Sequence, residues 1–245
     1  MINEHENPDV EIKNEEIRDI QIQGIEKNGI ITASGQGLRL QCLSVIGQIE
    51  GHYLLGSANK TTKYEHVIPM LIAIELDDNI DGLIIVLNTV GGDVEAGLAI
   101  AEMIASMTKP TVSLVLGGGH SIGVPLAVAA KHSFIVPTAT MTLHPVRING
   151  TVIGAPQTYC YFDKMQERIL SFIQAHSSAD PAAVRTLMMR TDEMATDIGT
   201  IIDGTEAVRL GLINSIGGLS DVIATFRGRW GAGMRRGAAP DPASL

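Results

Sequence analysis

The chain has 245 residues, 45% of them hydrophobic, which suits one large compact domain and argues against a disordered or fibrous chain. Its formal net charge of −9 argues against nucleic acid or an anionic lipid surface as the main partner. Cys42 and Cys160 lie too far apart to suggest a metal site or a disulfide framework, so a reducing compartment is the simpler setting.

Residues 1–28 are polar and acid-rich, without the basic-then-apolar pattern of a secretion signal, and read as an arm of a cytoplasmic protein. The domain is expected over residues 29–226. In it "LQCLSVIGQI" reads as a strand, Tyr64 to Leu76 as an amphipathic helix, and "GLIIVLN" as a second strand. The turn "TVGGD" then leads to a helix from about Val94 to Ser106. The same unit recurs as the strand "TVSLVL", a glycine turn, a helix from about Ser121 to Ala130, and the short strands "SFIVP" and "TMTLH". Thr111 to Ala130 carries no charge over twenty residues, yet its glycines and Pro125 divide it into strand, turn and helix, so no membrane span is expected. Beyond Gly154 a helical region reaches about Met194, broken near Asp180-Pro181. "TEAVRLGLINSIGGL" reads as a short helix entering a strand, and residues 227–245 as a Gly-, Pro- and Arg-rich tail. Repeated strand–turn–helix units predict an α/β domain.

Two glycine turns carry the chemistry. Gly119-His120-Ser121-Ile122-Gly123 fits G-x-S-x-G, which presents a serine hydroxyl between a strand and a helix, although a serine there can equally be a helix cap. Of seven histidines, His144 has the position for a base, because it ends an uncharged strand and Pro145 then starts a loop. A core-edge histidine satisfied by the backbone fits the same pattern. No acid lies between Ser121 and His144, so the α/β-hydrolase fold, with its serine–acid–histidine order, is disfavoured. Gly91-Gly92 permits close approach of a ligand to the backbone, with N–H groups able to hold an oxyanion at the next helix start. A phosphate-binding turn is disfavoured, since neither the third glycine of a dinucleotide fingerprint nor a Lys-Ser/Thr pair is present.

Taken in order, "NTVGGDVEAGLAIAEMI", "GGGHSIGVPLA", "TMTLHPV" and "TEAVRLGLINSI" resemble the proteolytic subunit family of the Clp protease (ClpP), over roughly residues 38–226. The resemblance implies a spiral of repeated ββα units with an extended handle helix, and a serine endopeptidase acting on polypeptides. It also implies Ser121 as nucleophile, His144 as general base, and the N–H groups of Gly92 and Ile122 as the oxyanion hole, with no cofactor. Val90 replaces the family's usual proline, and His120-Ser121-Ile122 its usual Ala-Ser-Met. The family's aspartate falls on Gly199 without a gap, so Asp197 is chosen by a two-residue shift, with Asp203 as the fallback. A helical stripe of Tyr159, Phe162, Met165, Ile169, Phe172 and Ile173 matches the handle. It implies a homo-oligomeric ring, a heptamer or a stacked pair, and leaves open whether a Clp-type ATPase feeds it. A crotonase-type acyl-CoA enzyme shares this fold but works with Glu or Asp instead of a Ser/His pair. A non-catalytic protein of the same fold, assisting protein export, is the other alternative.

Overall fold

The computed structural model describes residues 29–35, 37–56, 58–147, 153–192 and 198–231. The expected arm at 1–28 lies outside the described residues, as do 232–245 of the expected tail. Described strands are β1 (Ile30–Gly35), β2 (Leu38–Glu50), β3 (Thr61–Lys63), β4 (Gly82–Gly92), β5 (Thr111–His120), β6 (His132–Ile135), β7 (Thr140–Leu143), β8 (Thr200–Asp203) and β9 (Ser215–Ile216). The helices are α1 (Tyr64–Leu76), α2 (Val94–Ser106), α3 (Gly123–Val128), α4 (Ala155–His176), α5 (Pro181–Met188), α6 (Gly204–Arg209) and α7 (Leu219–Thr225).

The sheet runs β1-β2-β4-β5-β6-β9. Pairings from β2 to β9 along this path are parallel, with β1 antiparallel at the edge. This is the expected α/β spiral. Its central strands are covered on both faces, which is why their sequences are continuous apolar runs instead of alternating ones. Leu83, Ile85 and Leu87 pack with Ile100 and Ile104 of α2 in the main core, whereas Ile84, Val112 and Leu114 join Val222 of α7 and Phe226 in a second cluster.

Strand β5 forks. Val112–Val115 pair with β6, while Gly118–His120 pair in parallel with Thr140–Thr142 of β7. Strand β8 then lies antiparallel to β7. The fork sets the carboxyl ends of β5 and β7 side by side, and that juxtaposition builds the site.

Helix α4 has 22 residues, a length of ~33 Å at 1.5 Å per residue. Met165, Ile169, Phe172 and Ile173 of the expected stripe are buried against the body, whereas Tyr159 is 74% exposed. The first ten residues, 155–164, are exposed or half-exposed all round. The apolar stripe therefore packs only at its C-terminal half and the N-terminal half projects. Arg168 ties α4 to α2 through a two-pronged pair with Glu95, at 2.6 and 2.9 Å. That hydrogen-bonded guanidinium holds the Glu95 carboxyl below its ordinary range.

Beyond α7 the chain makes a π-helical turn, Phe226–Trp230, so the start of the expected tail continues the helix. Phe226 is fully buried and Trp230 packs against the same cluster; residues four apart share one helix face. Cys42 and Cys160 are free thiols. No described helix is long and apolar enough to cross a membrane.

Candidate active site

Both glycine segments are strand instead of turn. β4 runs through Gly92 and β5 through His120. The register explains how. Leu87 faces Val115 and Thr89 faces Gly119, so Asn88 alone on β4 opposes Leu116, Gly117 and Gly118. Asn88 fills this bulge and its Oδ1 accepts the Gly118 N–H at 3.0 Å. Thr89, which is buried, donates from Oγ1 to the Gly47 carbonyl at 2.7 Å and accepts the Gly91 N–H at 3.0 Å. Asn88 thus holds Gly118 and Thr89 holds Gly91, and no sequence motif signals either residue.

Ser121 is the one non-glycine residue with positive φ among the described residues, at 58°. A Cβ in that conformation meets the backbone unfavourably, at a cost of roughly 1–2 kcal/mol. The surroundings hold it there: the Ser121 N–H donates to Thr142 O at 2.9 Å, and its carbonyl accepts the Val124 N–H at 3.0 Å. Gly91, at φ 89°, lies directly beneath, and a Cβ on it would stand 2.6 Å from that of Ser121. Helix α3 consequently begins at Gly123, two residues later than expected. The Ser121 hydroxyl caps nothing; among the described residues it has no hydrogen bond. Ile122 precedes α3 with its side chain buried in the space left by Gly97, and its N–H donates to no described group.

His120 turns to Thr142, hydrogen-bonded through Nδ1 at 2.8 Å, and burial pushes its imidazole below the ordinary histidine range. It faces away from the serine hydroxyl, as adjacent side chains on a strand end do. His144 follows β7, the parallel neighbour of β5. His120 and Thr142 are partners across the ladder, so Ser121 and His144 lie one and two residues beyond a matched pair. Both line one cavity of about 350 Å³, with Gly92, Ile122, Gln48 and Arg147 also on its wall. Val124, Leu143, Ile169, Ile173 and Met188 give it an apolar side. His144 donates from Nδ1 to the Pro145 carbonyl at 2.7 Å, and the Val146 N–H donates to Gln166 Oε1 of α4 at 2.9 Å. Nothing in the sequence signalled Gln166, because the contact joins residues 20 apart through tertiary packing alone.

Asp197, the expected acid, lies outside the described residues. The Gly199 N–H donates to Arg190 O at 2.7 Å. Gly199 packs against His144, where an added Cβ would sit 2.7 Å from the histidine Cβ. The fallback, Asp203, pairs across the β7–β8 ladder with Thr140, four residues from His144, or ~13 Å along a strand. Its carboxylate accepts the Glu206 N–H at 2.8 Å and caps α6. Asp192 pairs with Arg190 at the surface.

The sequence profile of the Clp protease family matches residues 39–219, which carry the fork, both glycine segments and the cavity. The chain belongs to the Clp protease family. Among its relatives is the translocation-enhancing protein TepA of Halalkalibacterium halodurans, 61% identical over 184 residues, 75% of this chain and 72% of TepA. The ATP-dependent Clp protease proteolytic subunit 1 of Chlamydia pneumoniae is 32% identical over 89 residues, 36% of this chain and 47% of that one. Its namesake from Protochlamydia amoebophila is 26% identical over 153 residues, 61% of this chain and 72% of the other. In this Clp-family chain Val90 is 66% exposed beside the glycine pair. The valine thus adds apolar surface at the rim and leaves the backbone below it intact.

Proposed function

We propose that the chain is a serine endopeptidase that hydrolyses polypeptides through an acyl-enzyme. The observation that carries this reading is the strained Ser121, its hydroxyl bonded to no described residue, opening on the same cavity as His144. His144 takes the hydroxyl proton as Ser121 Oγ attacks the scissile carbonyl carbon, and the N–H groups of Gly92 and Ile122 receive the developing oxyanion. The imidazolium returns that proton to the leaving amine as the C–N bond breaks. Water, deprotonated by His144, then releases the acyl group. Asp197 offsets the charge of the imidazolium. The Ile122 N–H, which donates to no described group, supports its share of this reading. The apolar wall suits the side chain of a bound polypeptide.

An endopeptidase free in the cytoplasm would cleave its neighbours, so the reading includes enclosure in a homo-oligomeric ring, heptameric or stacked in pairs. The projecting half of α4 supports this, with Tyr159 and Tyr161 exposed at its start. The name of the TepA relative favours a second reading, a non-catalytic protein assisting translocation. Digestion of casein by the wild type against Ser121→Ala separates them: the peptidase reading expects turnover abolished by the substitution, and absence of turnover in both forms favours the second.

A further inference from the structure

The inner face of α4 is hydrocarbon except at Gln166, which is buried beside Met165, Ile169 and Leu170. A primary amide in such a place is costly unless hydrogen-bonded. Among the described residues its Nε2 reaches only the Met188 sulfur, at 3.4 Å, a weak acceptor. The stronger contact is Oε1, which accepts the Val146 N–H at 2.9 Å. The other end of that peptide group is the Pro145 carbonyl, and it accepts the His144 Nδ1–H at 2.7 Å. Because a peptide group is planar, holding its N–H fixes the direction of its C=O. A carbonyl can only accept, so Nδ1 carries the proton of the neutral ring and Nε2 is left as the basic nitrogen.

We infer that Gln166 is a positioning residue: it holds the Pro145–Val146 peptide so that the Pro145 carbonyl keeps His144 in the Nδ1–H tautomer, the one whose basic nitrogen is Nε2. This rests on the reading of His144 as general base. The device supplies orientation without charge. The handle helix therefore reaches the catalytic histidine through one side chain and one peptide group.

The test uses full-length protein labelled with ¹⁵N-histidine. Magic-angle-spinning NMR reads the His144 tautomer, assigned by its loss in His144→Ala. The wild type should show Nδ1–H. Gln166→Met, similar in volume but without the acceptor, should show both tautomers, and Gln166→Glu, which keeps an acceptor oxygen, should restore the first. In parallel, the maximal rate of Ser121 modification by a fluorophosphonate should fall about 10–100-fold in Gln166→Met, as for other residues that orient a histidine through its second nitrogen. The half-saturating probe concentration should not change, and Gln166→Glu should stay within ~3-fold of the wild type. Thermal melts accompany each variant. If Gln166→Met does not melt cooperatively, Gln166→Asn, too short to reach Val146, takes its place with the same expectations. An unchanged tautomer in the acceptor-free variant overturns the inference, as does equal loss of rate in the Met and Glu variants. A wild type that never reacts with the probe overturns the peptidase reading instead, and leaves the tautomer measurement standing.

Discussion

Replacing Ser121 by glycine should stabilise the protein while removing its nucleophile. At φ 58° the serine Cβ costs roughly 1–2 kcal/mol that glycine avoids. Against this, glycine adds freedom to the unfolded chain, worth about 0.4–1 kcal/mol. The hydroxyl makes no hydrogen bond to a described group, so its removal leaves no buried partner unsatisfied. The balance is a gain of about 0.5–1 kcal/mol, or a rise of roughly 1–4 °C in the melting midpoint for a chain of this size. Ser121→Ala is the control, because it removes the hydroxyl and keeps the strained Cβ; its midpoint should match the wild type. Calorimetry at one fixed protomer concentration reads all three, since an oligomer's midpoint depends on concentration. Ser121→Gly melting at or below Ser121→Ala would refute the claim that strain is stored at this residue.

The two aspartates should separate by assay: Asp197→Asn is expected to cut peptide hydrolysis by about 10⁴-fold with an unchanged melt, by analogy with other triads. Asp203→Ala should lose about 1 kcal/mol of stability with the α6 cap and leave hydrolysis within about twofold; the reverse pattern would reassign the acid. Burial holds His120 below the ordinary histidine range, as burial and then Arg229 do for His132. The unfolded chain therefore binds protons there that the folded chain does not, and stability should rise with pH up to the unfolded value of about 6.5. Urea midpoints between roughly pH 5 and 7 should climb, and His120→Gln combined with His132→Gln should flatten the climb; an equal slope in the variant would contradict the assignment. Light scattering after size exclusion should find a ring-sized species, and a stable monomer that still digests casein would defeat the enclosure argument.

The strands and helices were legible because a two-faced sheet needs apolar runs such as Leu83–Leu87, and because Asp93, Asp180 and Asp203 cap the helices that follow them. The glycine segments were misread as turns. Glycine runs usually break strands, but Asn88 fills the bulge and keeps the ladder going. The start of α3 was misplaced because the positive φ of Ser121 cannot belong to a helix. That Ser121 and His144 share a cavity was legible because each sits where one strand ends, and a strand end is a local signal. Gln166 could not be found, since its meaning depends on a loop folding back onto the handle helix. The acid was hardest: the ungapped position, Gly199, does pack against His144, yet it bears no side chain.

Reaction with a fluorophosphonate, located by peptide mass spectrometry, tests the central claim most directly. A single adduct on Ser121 is expected, formed roughly a thousandfold more slowly or not at all in His144→Ala, because the two residues act as one unit. No adduct on Ser121, or an adduct that forms equally fast without His144, would contradict the account.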